Sequence, residues 1–285
     1  MTTPPPPTDR SRPAPPPADR TTTRRTALRA GAGLAAAGLL TAGCATGRSA
    51  PAPPARPEAP GHPTTSAPRP AFTRTPPANG PHRFPGSPAQ IGHGPRDRPL
   101  IALTFQGQGD PAPARKLLSA AERAGARVTV LAVGTWLDQH PEMARRILDG
   151  GHDLGNHTLH HQAVNELSEA GARAEITGCA DRLRRLTGSI GSWFRPSRAR
   201  YASPLVERLA RTAGYPHLLS YDVDSLDHTA PGPQQIIDRV TGQARPGSVV
   251  SLHLGHEDTA TALPGLLDAL HRRGLRPVTA TELLS

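Results

Sequence analysis

Gly151-His152-Asp153-Leu154-Gly155-Asn156-His157-Thr158-Leu159-His160-His161 runs from a short strand-like segment through a Gly-Asn turn into two imidazoles, His157 and His161, four residues apart. On one helical turn, residues i and i+4 project from the same face, so both rings can reach a single ion. Imidazole suits zinc and similar first-row metals, and catalytic zinc takes about three protein ligands and keeps a position open for water. The same spacing also fits two surface histidines of a helix. The chain on either side has to decide between these readings.

Working outward, apolar runs at 100–105, 128–133, 153–156, 217–223, 249–254 and 276–279 read as strands, with a short one at 193–195. Helical patterns fill the gaps at 112–124, 141–148, 168–186, 204–213, 233–243 and 260–272, the second opening on Pro141 in its first turn. Strand and helix alternate about seven times, which predicts an α/β fold: a parallel sheet with outer helices, open or closed into a barrel. Sites in such folds gather at the carboxyl ends of strands, where the polar clusters of this chain fall.

Composition divides the chain near residue 95. Of 34 prolines, 22 lie in residues 1–95, which carry 11 Arg and Lys against 3 Asp and Glu. Residues 96–285 carry 22 against 20, so the basic balance belongs to the leader and the folded part is close to neutral. A nucleic-acid partner would need a basic face on the domain itself, and none is expected. The 190 residues from 96 onward suit one domain with a substantial core.

The leader reads as an export signal. Thr23-Arg24-Arg25-Thr26-Ala27-Leu28-Arg29 resembles a twin-arginine motif, and residues 30–43 are an uncharged Ala/Leu/Gly run, too short to span a bilayer permanently. Leu40-Thr41-Ala42-Gly43-Cys44 resembles a bacterial lipobox, which predicts a lipid anchor on Cys44 at the outer face of the membrane. The alternative is cleavage near Ala45 and release. Residues 45–95, rich in Pro, Ala, Thr and Ser, lack the apolar surface to order and are expected to be a spacer. The other cysteine, Cys179, falls in a helical pattern and is expected to be a small buried residue.

From about residue 99 to 284 the chain resembles the polysaccharide deacetylases of the NodB-homology group, carbohydrate esterase family 4. The resemblance rests on Thr129-Val130-Leu131-Ala132-Val133-Gly134, Gly151 to Thr158, Leu252-His253 and Thr279-Ala280-Thr281-Glu282-Leu283, in order and spacing. It implies a distorted (β/α) barrel of about seven strands that removes acetyl groups from sugar polymers with a metal held by Asp-His-His. His157 and His161 match the metal motif. His253 matches the histidine that protonates the leaving amine, a role suited to a side chain titrating near neutral pH. Asp224 and Asp227 lie in the motif that supports that histidine, with His228 in place of the family's tryptophan. Arg195-Pro196 matches the motif whose arginine pairs with the catalytic base, but Ser197-Arg198 replaces its usual Pro-aromatic continuation.

The first motif departs from the family. Where the family has Thr-Phe-Asp-Asp-Gly, with base then metal ligand, this chain has Thr104-Phe105-Gln106-Gly107-Gln108-Gly109-Asp110. Glutamine cannot take a proton from water, and losing a general base costs roughly 100- to 10,000-fold in rate. Asp110 is the only carboxylate between Asp97 and Glu122. It is therefore the candidate replacement as ligand or base, against a plain role capping the helix that begins at Pro111. The expected function is metal-dependent deacetylation of peptidoglycan or another acetylated glycan, with zinc as the metal. The alternative is an impaired homologue that binds cell-wall glycan. An aromatic content of 3% speaks against a binder that works by stacking on sugars.

Overall fold

The computed structural model describes residues 80–285. The leader, the Cys44 lipobox and the linker as far as residue 79 lie outside the described residues. Among the described residues no helix is long and apolar enough to cross a membrane.

The strand β2 is built from the apolar run Leu100–Gly109, longer than the sequence pattern because Gln106 and the glycines continue the pairing. Around it lie β3 (Thr129–Ala132), β4 (Asp153–Asn156), β6 (Val223–Asp224) and β7 (Val249–Gly255), in the order β4-β3-β2-β7-β6, all parallel. The start of β2 also pairs with β8 (Arg276–Val278). Beyond β4 the sheet continues through single bridges, Asn156 to Phe194 and Phe194 to Leu218, into β5 (Leu218–Leu219) and β1 (Gln90–Ile91). His93 then bridges to Ser248 at the entrance to β7. The sheet thus curls round as the distorted barrel the family resemblance implies, with eight strands among the described residues.

The helices are α1 (Pro111–Arg123), α2 (Gly134–Gln139), α3 (Glu142–Asp149), α4 (Glu169–Thr187), α5 (Pro204–Ala213), α6 (Pro233–Gln243), α7 (Glu257–Arg272) and α8 (Ala280–Leu284). Alternation along the strands sorts the core. Leu103 and Phe105 pack with Leu117, Leu137 and Leu263 of the helices, while Ala102 and Leu131 pack with Ile91, Trp193, Leu219 and Val249 in a second cluster. Helix ends follow their local chemistry. Ser203 caps α5 ahead of Pro204, and the helix stops at Gly214 in a left-handed conformation, φ 113°.

Two expectations need correction. The run 217–223 is not one strand: it breaks into β5 and β6 because the Asp222 carboxylate turns to Val249 N (2.8 Å) and Arg96 (2.8 Å). The ordered fold also reaches back before residue 96. Phe84 stacks on Trp193 at 5.5 Å, Phe84 N donates to His217 Nε2 (3.1 Å), and Ile91 is buried in β1. A few apolar anchors hold a Pro-rich segment that composition alone assigns to the spacer.

Candidate active site and metal centre

The carboxyl ends of β2, β4, β6 and β7 converge on one cleft of about 410 Å³, whose lining includes Gln106, His161, Arg198, Tyr221, Asp224 and His253. Register brings Gln106 of β2 level with His253 of β7. His157 follows directly on β4.

The 157–161 segment is a loop and not the helical turn that the four-residue spacing predicts. Thr158 and His161 adopt left-handed backbone, φ 67° and 58°, conformations that cost a non-glycine residue about 1–2 kcal/mol. Asn156 holds the turn by accepting from Thr158 N (2.8 Å) and donating to Ile176 O (2.9 Å). Glu175 draws His160 away, binding its backbone N (2.9 Å) and Nδ1 (2.7 Å). The result still brings the two predicted rings together, with centroids 4.9 Å apart.

The hydrogen bonds set the chemistry of this pair. His157 Nδ1 lies 3.0 Å from Arg195 O, which only accepts, so Nδ1 carries the proton and Nε2 presents a lone pair. That lone pair faces Gln106 Oε1 at 3.0 Å, and His161 Nε2 lies 3.4 Å from the same oxygen. Burial pushes the His157 imidazole well below its usual range, assisted by the charges of His161 and Arg195. Burial and Arg198 push His161 down to about 4. At His157 the tautomer leaves two acceptors facing one another, whereas His161 can carry its proton on Nε2 and donate to the same oxygen. A cation relieves the His157 contact, as does turning over the Gln106 amide so that its NH2 donates to that ring. The set fits a divalent ion as two imidazoles and one amide oxygen, a neutral set weaker than one holding a carboxylate.

The two altered positions of the first motif point opposite ways. Gln106 faces the histidines. A Cβ at Gly107 would instead meet Val130 Cγ1 (3.0 Å), Ala132 Cα (3.2 Å) and Trp136 Cζ3 (3.3 Å). Asp110 does not replace the missing carboxylates. It is exposed and its Oδ1 accepts from Ala112 N (2.8 Å), capping α1 ahead of Pro111, so the capping role expected of Asp before Pro is the one it fills.

His253 and Asp227 form a buried dyad. Asp227 Oδ1 accepts from His253 Nδ1 (2.7 Å) and Ser225 Oγ (2.9 Å), and Oδ2 accepts from His253 N (2.7 Å) and Thr259 Oγ1 (2.6 Å). Burial works to raise the Asp227 carboxyl, but the hydrogen bonds and charge of His253 outweigh it and hold the group below its usual range. The bond at Nδ1 turns His253 Nε2 toward the cleft. The rings of His228 and His256, which sequence reasoning left unassigned, stand 5.2 and 5.4 Å from that of His253. Asp227, His228 and His253 form a group whose ligand atoms lie within 4.8 Å of one another, a candidate metal site in its own right. The signal for His228 was its place directly after Asp227, where the family has tryptophan.

Arg195 is buried, donating from Nε to Leu219 O (2.8 Å) and from Nη2 to Ser220 O (3.0 Å), with its guanidinium over the Tyr221 ring at 5.4 Å. Its Nη1 is buried with no hydrogen-bond partner. Burial lowers its pKa to about 10 in spite of nearby Tyr221 and Asp224. Asp224 lines the cleft and accepts from Leu226 N (3.1 Å), apart from the bonds that hold His253. Among the described residues, Asp224 is the carboxylate whose charge bears on Arg195, while Asp110 is occupied at the start of α1.

The polysaccharide deacetylase profile matches residues 93–218. A peptidoglycan-N-acetylglucosamine deacetylase of Bacillus cereus is 30% identical over 202 residues, covering 67% of this chain and 90% of the relative. A chitooligosaccharide deacetylase of Sinorhizobium fredii is 28% identical over 191 residues, 62% of this chain and 87% of its own. Among solved structures, the Bc1960 peptidoglycan N-acetylglucosamine deacetylase superposes with a TM-score of 0.64 at 25% identity, over 68% of this chain and 92% of that one. A family 4 carbohydrate esterase pseudoenzyme of Bacillus anthracis shares the fold, with a TM-score of 0.66 at 24% identity over 70% of each chain.

Proposed function

Because this chain belongs to the polysaccharide deacetylase family, the NodB-homology carbohydrate esterases, we propose that it hydrolyses acetyl groups from an N-acetylated amino-sugar polymer. The observation that carries the proposal is the His253–Asp227 dyad sharing one cleft with the His157–His161 pair. In this reading His157, His161 and Gln106 Oε1 would hold a divalent ion, zinc by donor type, which when bound polarises the acetyl carbonyl and acidifies water.

The rest falls to the chain's own side chains. His253 Nε2, aimed into the cleft by Asp227, delivers a proton to the departing nitrogen. Arg195 keeps the His157 tautomer through its carbonyl oxygen and brings positive charge close to where the acyl oxygen gains negative charge. Gln106, standing where the family has its aspartate base, cannot take the proton from water, so turnover is slower by roughly 100- to 10,000-fold than with an aspartate there.

Acetate release from peptidoglycan or an N-acetylglucosamine oligomer, with zinc or cobalt added, tests the reading. Slow release is expected, lost in His253→Ala and in a His157→Ala/His161→Ala variant. No release from the wild type overturns it. Gln106 favours a second reading, a glycan-binding homologue, for which the oligomer binds but yields no acetate.

We also propose export and lipid anchoring, supported by Arg24-Arg25, the apolar run and Cys44. Lysine at both arginines should strand the precursor, and Cys44→Ala should leave the membrane fraction. Normal export of the first variant, or retention of the second, would remove the corresponding claim.

A further inference from the structure

The cleft wall that follows Arg195 has no part in the reaction just proposed. After Pro196 the chain carries Ser197-Arg198-Ala199-Arg200, with Ser197-Arg198 in place of the family's Pro-aromatic pair, and Arg198, Ala199 and Arg200 all line the cleft. Ser197 is buried and pins the stretch, accepting from Thr158 Oγ1 (3.0 Å) and donating to Gln162 O. Arg198 follows it in left-handed backbone, φ 54°, a conformation disfavoured for any residue with a Cβ. It is exposed, and its charge bears on His161.

Arg200 is held more firmly. Its Nε donates to Tyr221 O (2.9 Å), its carbonyl accepts from Ser220 Oγ (2.6 Å), and its guanidinium lies over the rings of Tyr201 (5.5 Å) and Tyr221 (5.4 Å). Among the described residues no hydrogen bond or ion pair engages its two Nη groups, and none engages the side chain of Arg198. Elsewhere on the domain exposed arginines find carboxylates, as Arg115 does Glu142 and Arg182 does Asp138. Asp224 is the only carboxylate in the cleft lining, against these two guanidiniums, so with neutral histidines the lining carries a net positive charge. Behind the lining, Arg195 and Asp227 add one charge of each sign.

Hydroxyls and acetamido groups of a neutral sugar leave that charge unanswered. A carboxylate answers it, because the planar guanidinium fork meets it with two parallel N–H···O bonds. We propose that Arg198 and Arg200 select a sugar polymer bearing carboxylates, such as a carboxylate-substituted amino sugar, over an uncharged N-acetylglucosamine chain. The inference rests on the reading that a glycan occupies this cleft, and it holds equally for an enzyme and for a glycan-binding homologue.

Calorimetry on the full-length protein tests it with two matched probes. One is an oligomer of alternating N-acetylglucosamine and N-acetylmuramic acid with free lactyl carboxylates; the other is the same oligomer as its methyl ester. The acid should bind about tenfold or more tighter than the ester, and the gap should close as salt rises. Arg198→Gln/Arg200→Gln should bring the two affinities together. Arg198→Lys/Arg200→Lys, which keeps the charge and loses the fork, should retain part of the preference. Equal binding of acid and ester by the wild type overturns the proposal and leaves the glycan reading standing, whereas binding of neither overturns both. A folded glutamine variant that keeps the full preference also overturns the role of these residues. The wild-type comparison decides by itself if that variant fails to fold.

Discussion

Asp227→Asn is the sharpest single perturbation of the cleft, because all four hydrogen bonds accepted by that carboxylate are assigned. One oxygen serves His253 N and Thr259 Oγ1, the other His253 Nδ1 and Ser225 Oγ. Asparagine offers one oxygen and one amide nitrogen. The oxygen has to face His253 N, a fixed donor, so the NH2 faces His253 Nδ1 and the serine hydroxyl must rotate to accept. The imidazole satisfies the new donor only by moving its proton to Nε2.

Hydrogen bonds to a charged group contribute about 1.5–3 kcal/mol against about 0.5–1.5 for neutral ones, and relief from burying the charge offsets part of the loss. The expected net cost is about 2–3 kcal/mol, read as a lower urea midpoint. Histidine nitrogen resonances should report the Nε2–H tautomer. Acetate release should fall by roughly 100- to 10,000-fold, as expected for a misplaced catalytic proton. An Asp227→Asn protein that keeps the Nδ1–H tautomer and full turnover would refute the reasoning.

Stability should depend on acid through His152, whose pKa burial pushes from 6.5 down to about 4 against the opposing pull of Glu122. The folded state keeps this ring neutral while the unfolded chain protonates it below 6.5. Its contribution is therefore complete above that pH and is lost on the way down to about 4, with about 2 kcal/mol gone by pH 5. Burial of His157 acts in the same direction, and equal urea midpoints at pH 7.5 and 5 would contradict both. Gln106→Glu, the same length but charged, should tighten zinc binding about tenfold or more by calorimetry, whereas Gly107→Asp should gain nothing and lower the melting temperature. Asp110→Ala should cost about 1 kcal/mol of stability as a lost cap and leave acetate release unchanged, the reverse of what a metal ligand there would show. Cys179, buried and with its thiol pushed up to about 12, should resist thiol reagents until the protein unfolds.

The strand and helix alternation was legible because apolar runs and caps carry it locally. Residues 153–156, 204–213 and 233–243 were bounded as the structure has them. Where an element depends on a distant partner, the pattern misled. Nothing within 217–223 announces that Asp222 will turn to Val249 and Arg96. The pairing of His157 with His161 was legible, but its cause was not, since left-handed backbone at Thr158 and His161 replaces the helical turn. Both uses of Asp110 were chemically open in the sequence, and only geometry gives the carboxylate to Ala112 N. The facing of Gln106 toward the histidine pair needed both the strand register and the path of the loop after β4.

The barrel wall between β4 and β5 is one short segment, 192–195, bonded to β4 through Ser192 N, Trp193 O and Arg195 N, and to β5 through the backbone bond from Leu219 N to Phe194 O and the Arg195 side chain, and it continues into strands of two residues each. A cylinder opens first where its strands are shortest, here and at the single bridge from His93 to Ser248. Amides of the 192–195 segment should exchange with solvent well before those of β2, β3 and β7, because few backbone bonds must break to release them. Arg195 follows Phe194 directly, so each such opening loosens the wall segment that continues to Arg198 and Arg200 at the cleft. On the function proposed above, a wall that gives there would let a long sugar chain settle sideways into the cleft.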